Sequence, residues 1–300
     1  MQYPVGHIIY YLRDLLEGTY TLRIIQSFIE LFIKIAPYLV VSILLQTVLM
    51  QLVTKRKIVL KIKNGFLAVL TGSLLGMFSP LPSYAAIPIG LSLLPLGIPF
   101  AAVMAFSIAS PLINPSVFFL TVTQLGLGIG MARVVATLVI SVTGGILFGK
   151  VFGQVSLPEG VETVPDRYRR SFWKELWRGT LFFGKYFTLA LLISAFVKAV
   201  VSPDLVTRIL GHHVQRSLLV AIAMGVPFYS CGGAAIPFVE VLKDMGMNKG
   251  AVLAFFIGGP ATKLATLYIY KSLLGVHALL LFLLITLAGA YLAGLVFLWI

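Results

Sequence analysis

The side chains most able to bind or react lie in short segments where proline and glycine interrupt apolar sequence. One segment is Tyr229-Ser230-Cys231, which is followed by Gly232 and Gly233 and carries two hydroxyls and the single cysteine of the chain. One cysteine provides neither an internal disulfide nor a thiolate cage for a metal. Free cysteine is most often a small buried residue. Cys231 is therefore expected either to pack in a helix or to lie beside a solute path.

The first half of the chain has a matching segment, Pro80-Leu81-Pro82-Ser83-Tyr84, with hydroxyls but no thiol. A second matched pair is 110–114 (SPLIN) with 259–263 (GPATK), which aligns Asn114 with Lys263. A lysine inside a membrane is costly unless it is solvated or paired. Lys263 is predicted to hold an anionic solute or to take part in proton coupling; the alternative is a helix-end lysine that reaches the lipid headgroups.

Other charged side chains have simpler interpretations. Glu30 and Lys34 are four residues apart, so they are predicted to form a structural ion pair on one helix face, with a proton relay as the alternative. Glu240, with Lys243 and Asp244, is predicted to form a solvated helix end. His212-His213 is only a weak metal-site pattern, because adjacent side chains point to different faces; no metal or cofactor is predicted.

The elements that position these residues are membrane helices. Of 300 residues, 59% are hydrophobic and 11% are charged, and the mean hydropathy is +1.00. Soluble domains carry about 25% charged residues. Apolar runs at 35–53, 128–149, 186–201 and 275–300 have the length that spans a bilayer. The Lys and Arg residues that give the chain its net charge of +13 cluster between these runs. This distribution is typical of cytoplasmic loops and not of a nucleic-acid-binding face.

The sequence also repeats itself. Residues 85–111 align with 234–260 at an offset of 149, and 12 of the 27 positions are identical without a gap. The same offset aligns Gly145 with Gly294, two members of small-residue stripes that are predicted to pack helices closely. The sequence therefore predicts an N-terminal interfacial helix (1–23), a first repeat (24–153), a linker (154–171) and a second repeat (172–300).

The middle of each repeat is broken by proline and glycine. Such pieces are too short to span a bilayer alone, and lipid cannot satisfy the backbone groups that the breaks expose. Matched broken segments in two halves indicate the binding site of a transporter. The residues predicted to make the breaks are Pro80, Pro82, Pro88, Pro111, Pro227, Gly232, Gly233, Pro237, Gly259 and Pro260.

Positive charge favours inverted repeats. Loop 55–63 and segment 154–178 have five Lys or Arg residues each, whereas the N-terminal segment and 202–217 have two each. Inverted repeats divide these charges ten to four across the membrane, and parallel repeats divide them seven to seven. The positive-inside rule therefore predicts that loop 55–63 and the linker are cytoplasmic. The predicted fold class is an all-α polytopic membrane protein with two inverted-topology repeats, each with broken or re-entrant helices in its middle.

The sequence lacks the phosphate-binding G-x-x-x-x-G-K-[ST] loop, H-E-x-x-H, G-x-S-x-G and any paired acidic motif within a broken helix. An enzyme is therefore not predicted.

The two break regions, 80–111 (PLPSYAAIPIGLSLLPLGIPFAAVMAFSIASP) and 227–267 (PFYSCGGAAIPFVEVLKDMGMNKGAVLAFFIGGPATKLATL), resemble the predicted permease family that contains the organoarsenical efflux permease ArsP. The resemblance implies a polytopic permease. In family members with thiol chemistry, cysteines in these turns contact trivalent arsenic, and only Cys231 can take that role here.

The leading hypothesis is a permease of the cell membrane that moves a small molecule or ion, with an anion, a metalloid or an organoarsenical-like compound as cargo classes. A membrane scaffold or assembly factor and a channel are the alternatives. The bilayer is a partner, nucleic acid is not, and a homo-oligomer is left open. The predicted substrate-binding residues are Ser83, Tyr84, Ser110, Asn114, Tyr229, Ser230, Cys231, Thr262 and Lys263.

Overall fold

The computed structural model describes residues 20–55, 65–79, 81, 83–153, 172–225, 233 and 235–299. Within these ranges the regular elements are all helices. In chain order they are α1 Tyr20–Lys55, α2 Phe66–Phe78, α3 Ser83–Leu91, the 3₁₀ turn Leu94–Leu96, α4 Phe100–Ala109, α5 Pro115–Leu125, α6 Leu127–Phe152, α7 Phe172–Val200, α8 Pro203–Val206 with the π-helical turn Thr207–Gly211, α9 Val214–Gly225, α10 Ile236–Asp244, α11 Lys249–Ala261 and α12 Leu264–Trp299.

Among the described residues, three helical segments are long and apolar enough to cross a membrane: Tyr20–Val48, Leu127–Phe152 and Leu264–Trp299. A fourth crossing is added if Gly184–Val200 and Pro203–Gly211, which are bent by 106°, form one span. The outer faces of these helices expose large apolar side chains such as Val135, Val139 and Leu284. Such a surface is unfavourable in water and suits lipid, so the chain is a multi-pass membrane protein.

Two glycines interrupt long helical stretches at equivalent places. Gly126, with φ 97°, separates α5 from α6, and Gly275, with φ 86°, lies inside α12. These left-handed backbone angles are easily adopted only by glycine. Gly275 divides α12 into two parts, α12a (264–274) and α12b (276–299), which correspond to α5 and α6 at the offset of 149 residues.

The directions of the short helices follow from glycine contacts. Gly72 of α2 packs against Ala102, and Gly76, one turn later, packs against Phe106 and Ala109 of α4. The helices α2 and α4 therefore run in the same direction. The helix α3 between them runs back, because Leu81 before it is bonded to Ser110 at the end of α4, whereas Gly90 near the end of α3 lies against Val103 and Ser107.

Close helix contacts recur at the same offset. A Cβ atom on Gly145 would lie 2.5 Å from the Ala101 carbonyl oxygen, and one on Gly294 would lie 2.7 Å from that of Gly250. The first contact joins α4 to α6, and the second joins α11 to α12b. Gly149 also packs on Ala101, whereas Gly153 ends α6 with φ 63° and has open space beside it.

The long helices α6 and α12b cross at their midpoints. Gly289 lies against Ile140, and Gly144 lies against Ile285, so the two helices run in opposite directions. Ile140 is at the middle of Leu127–Phe152 and is aligned with Gly289 by the offset of 149. This crossing forms the centre of a buried apolar cluster that also contains Phe148 and Phe282.

The backbone differs from the predicted breaks at three positions. Pro88 lies inside α3, and Gly259 and Pro260 lie in the last turn of α11, which ends at Ala261. Continuous helix is tolerated there because residues 250–261 are all buried and packed by neighbours. Pro111 lies in the turn after α4, Pro237 in the first turn of α10 and Gly233 just before it.

Some predictions fall on residues outside the described ranges. These are the breaks at Pro80, Pro82, Pro227 and Gly232, most of the N-terminal segment 1–23, most of the basic loop 55–63 and the linker 154–171. The helix α1 is continuous from Tyr20 and crosses the predicted boundary at residue 23.

Candidate functional site

The first break is the turn 110–114 between α4 and α5. The buried Ser110 hydroxyl donates to the Leu81 carbonyl oxygen at 2.9 Å, which joins this turn to the segment before α3. The Asn114 side chain accepts a hydrogen bond from the Val117 N–H at 2.9 Å and caps α5. An N-cap satisfies one of the free amides of a helix start. Both side chains therefore stabilise the break itself.

The second break is the turn 262–263 between α11 and α12a. The Thr262 hydroxyl contacts the carbonyl oxygens of Gly258 and Gly259 at 3.2 Å each, so it closes the end of α11. Lys263 is half-buried and directly precedes α12a. The structure thus places a lysine at the start of one broken helix and a capping asparagine at the start of the other.

The remaining predicted binding residues are less fully described. Ser83 and Tyr84 form the first turn of α3, of which the structure describes the backbone only. Tyr229, Ser230 and Cys231 lie outside the described residues. Gly233, shortly after them, faces Val117 of α5, because a Cβ atom there would lie 3.7 Å from the Val117 side chain.

The structure adds a residue that the sequence analysis missed. Arg133 lies in α6, inside the apolar run 128–149, and its side chain is completely buried. Its Nε–H donates to the Leu112 carbonyl oxygen at 3.1 Å, and its Nη1 donates to the Thr121 hydroxyl at 3.1 Å. The guanidinium carbon lies 4.5 Å from the centre of the Phe256 ring, which is cation–π distance. An arginine within a predicted span is itself a signal of function.

Arg133 begins a polar stripe on the buried side of α6. Thr137 and Ser141 follow it at intervals of four residues, and both are completely buried. The Ser141 hydroxyl contacts the Ser73 hydroxyl of α2 and also donates to the Thr137 carbonyl oxygen. The Arg133 Nη2 atom and the Thr137 hydroxyl have no hydrogen-bond partner among the described residues. The stripe is therefore only partly satisfied by the protein.

The predicted ion pair between Glu30 and Lys34 is wrong. Glu30 pairs with Lys198 of α7 at 2.8 Å, and Lys34 pairs with Glu240 of α10 at 2.7 Å. Helix spacing brings Glu30 and Lys34 to one face, but oppositely charged side chains on neighbouring helices compete for them. These two ion pairs join α1 to two helices of the second half.

The prediction of a solvated helix end for Glu240 is also wrong. Its side chain is 4% exposed, and one carboxylate oxygen has no hydrogen-bond partner among the described residues. Nearby, the Lys243 ammonium donates to the Leu125 carbonyl oxygen at the end of α5 at 3.3 Å. The helix α10 is thus held against the first half of the chain by polar contacts at both of these residues.

Across the described residues, no group of three or more His, Cys, Asp or Glu side chains has the arrangement of a metal site. His212 and His213 lie between the π-helical turn and α9. Asn248 connects this region by hydrogen bonds. Its side-chain oxygen caps α11, and its side-chain N–H groups donate to the Leu210 carbonyl oxygen at 2.8 Å and to the Ser217 hydroxyl at 2.7 Å.

Comparison with known proteins agrees with the family resemblance. Residues 21–298 match the family model ArsP_1, described as "Predicted permease". The UPF0718 protein YcgR of Bacillus subtilis (strain 168) is 27% identical over 250 residues, which cover 79% of this chain and 84% of that relative. No solved structure gives a significant match. Because the family model spans nearly the whole described fold, the chain belongs to the ArsP_1 family of predicted permeases.

Proposed function

We propose that this protein is a secondary or facilitative permease of the cell membrane with two inverted repeats, 24–153 and 172–300. Its substrate site lies where the broken helices of the two repeats meet near the bilayer midplane. Loop 55–63 and the linker 154–171 are cytoplasmic in this proposal. The single observation that carries it is the recurrence of broken helices and their contacts at an offset of 149 residues in a member of a permease family.

The broken helices are about half as long as a membrane span, which supports a site at the middle of the membrane. The helix α4 has 10 residues and α5 has 11, so each rises about 15 Å, which is half of a hydrocarbon core of about 30 Å. Ala101 and Ala105 pack on Gly145, so α4 lies along the second half of α6. The helix α5 then ends at Gly126, which connects it to the start of α6. Together, α4 and α5 have the reach of one span, with the turn 110–114 halfway along it.

The crossing of α6 and α12b supports inversion. Repeats related by an axis in the membrane plane place equivalent helices in opposite directions, whereas parallel repeats keep them in the same direction. Equivalent residues Ile140 and Gly289 meet in an antiparallel crossing at mid-helix. This arrangement agrees with the distribution of Lys and Arg residues between the loops.

The substrate site is proposed to include Ser83, Tyr84, Ser110, Asn114, Tyr229, Ser230, Cys231, Thr262 and Lys263. The breaks supply backbone amides and carbonyls that lipid cannot satisfy, and these groups can bind a solute. Ser110, Asn114 and Thr262 fix the backbone of the breaks, whereas Lys263 can supply charge. Alternating access requires one set of broken helices to move against the other.

Transport by Lys263 variants tests this proposal. Purified protein in liposomes is expected to take up solute at a rate that saturates with concentration, whereas a channel would not saturate and a scaffold would move nothing. Lys263→Met should reduce uptake by at least about 10-fold, as expected for loss of a charged contact. Lys271→Met is the matched control, because Lys271 lies two turns later on the exposed side of α12a.

Thiol labelling tests the Cys231 region independently. Because Cys231 is the single cysteine, a water-soluble maleimide reports on that position in the unmodified protein. Labelling from one side of the membrane that decreases with a transported solute supports the proposed site. Complete protection, together with equal uptake by Cys231→Ser and Lys263→Met, would exclude this site assignment.

A further inference from the structure

Arg133 and Thr137 each have a buried hydrogen-bond donor without an acceptor among the described residues, and these donors indicate the chemistry of the cargo. Arg133 is always charged in proteins, and its Nη2 atom is completely buried without an acceptor among the described residues. The two ion pairs that the structure describes involve Lys34 and Lys198 and leave Arg133 aside. An arginine buried at membrane depth is expected to face a partner or the transported species.

The position of Arg133 links it to the first break. Its Nε–H binds the carbonyl oxygen of Leu112, which is part of the turn 110–114. Arg133 lies two helical turns before Ile140, which is roughly 10 Å along the axis of α6. The guanidinium group is therefore beside the break and within the hydrocarbon depth of the proposed bilayer.

A second unpartnered donor lies next to it. Thr137 is one turn further on the same face of α6, and its hydroxyl is buried without a hydrogen-bond partner among the described residues. Residues four apart on a helix are neighbours. Arg133 Nη2 and the Thr137 hydroxyl thus supply three hydrogen-bond donors and a positive charge from neighbouring positions on one face of α6.

The second half of the chain shows that the fold does not require an arginine at this position. At the equivalent positions, Phe282 replaces Arg133 and stacks on Tyr270 with ring centres 4.0 Å apart. The Thr286 hydroxyl, which is equivalent to that of Thr137, donates to the Phe282 carbonyl oxygen of its own helix at 2.7 Å. The same backbone is filled with a stacked aromatic pair, Tyr270 and Phe282, in one half and with a partly satisfied cation in the other.

We propose that Arg133 and Thr137 bind the transported solute and that this solute is a small oxyanion. The inference deepens the proposed permease function and rests on it. A guanidinium group and a hydroxyl suit carboxylate, sulfate or phosphate-like oxygens by charge-assisted hydrogen bonds. Because Arg133 is sealed in this conformation, the anion reaches it when α5 or α11 moves away from α6.

Anion binding is measured on the purified full-length protein. Thermal unfolding is followed while sodium sulfate, sodium phosphate or sodium acetate replaces sodium chloride at constant ionic strength. Wild-type protein is expected to show a saturable shift with at least one of these anions. Arg133→Gln should weaken that binding by about 10- to 100-fold, which is typical of losing a hydrogen-bonding charge. Arg133→Lys should recover part of it because the charge remains.

Thr137→Val keeps the proposal testable if the Arg133 variants do not fold. It should weaken anion binding by about 3- to 10-fold, as expected for one hydrogen bond. Thr286→Val is the matched control, because it removes the equivalent hydroxyl in the other repeat, and its anion affinity should equal that of the wild type. A purely structural role for Arg133 would lower the unfolding temperature without changing the dependence on anion.

Liposome uptake separates the two proposals. Uptake of a neutral or cationic solute, unchanged in Arg133→Gln, would retain the permease and overturn the anion assignment. Binding that depends on Arg133, without movement of any solute, would retain the anion site and overturn the transport function. A folded Arg133→Gln protein with wild-type anion affinity, or a wild-type protein without any saturable anion response, would also overturn the assignment.

Discussion

The two halves of the molecule share a backbone arrangement but differ in what fills its centre. On α6, Arg133, Thr137 and Ser141 form a buried polar stripe, and Ser73 of α2 faces it. The equivalent residues of the second half are Phe282, Thr286, Ala290 and Ile222. The glycine contacts that bring the helices together are alike in both halves. Packing is thus repeated, whereas the buried arginine is found only on the long helix of the first half, α6, and not at the equivalent position of α12b.

This difference separates structural from functional requirements. If the fold needed a buried arginine on the long helix beside each break, both repeats would have one. The second repeat stacks Tyr270 on Phe282 instead, so the polar stripe of the first repeat is better explained by binding. In the second repeat the charged side chain beside the break is Lys263, on the turn between α11 and α12a.

The largest loss of stability is expected from placing an arginine at the position of the second half that is equivalent to Arg133. Phe282→Arg places an arginine beside the Tyr270 ring and within an apolar cluster, at a cost of about 3 kcal/mol by membrane-insertion scales. Phe282→Leu, the control for lost stacking, should cost about 1 kcal/mol. Thermal unfolding and size-exclusion profiles measure both. Equal stability of the two variants would show that the second repeat also accepts a cation, and the contrast between the halves would fail.

An intermediate and equal effect is expected at the repeated glycines. Gly145→Ala and Gly294→Ala each place a methyl group within 2.7 Å of a backbone carbonyl oxygen, and such overpacking costs about 1–3 kcal/mol. Gly128→Ala is the control, because a Cβ atom there meets nothing within 4 Å. Unfolding midpoints should fall together for the first two variants and not for the control. A large loss in only one repeat would contradict repeated packing.

The smallest effect is expected within the polar stripe. Ser141→Ala removes the partner of the Ser73 hydroxyl and should cost about 1 kcal/mol. The reverse change in the other repeat, Ala290→Ser, should cost less, because a serine hydroxyl can bond to a carbonyl of its own helix. Unfolding midpoints of the two variants test this order. A larger loss for Ala290→Ser would mean that the second repeat excludes polar groups more strongly than its packing indicates.

The sequence predicted the repeated close contacts because small residues mark them directly, whereas three breaks predicted from proline and glycine, at Pro88, Gly259 and Pro260, lie within helices. The offset that aligned Gly145 with Gly294 recurs in the contacts of both residues. The turn 110–114 follows the sequence SPLIN, in which Asn114 is a typical N-cap before proline. Such signals are local in the sequence, so they can be recognised without knowing which distant residues pack against them.

The sequence analysis failed where long-range contacts decide the outcome. Glu30 and Lys34 had the spacing of an ion pair, but each pairs with a residue far along the chain, Lys198 and Glu240 respectively. Arg133 was overlooked because the run 128–149 is otherwise apolar, although a single charge in a span is informative. Its importance follows from its contacts, which leave Nη2 without a hydrogen-bond partner among the described residues.

Inversion of the repeats is tested most directly at Leu127 and Val276. These equivalent residues begin α6 and α12b, and both are exposed. Single cysteines are placed there in a Cys231→Ser background and labelled with a membrane-impermeant maleimide in right-side-out and inside-out vesicles. Inverted repeats predict that Leu127→Cys is labelled from the outside and Val276→Cys from the cytoplasmic side. Labelling of both positions from the same side would contradict the account.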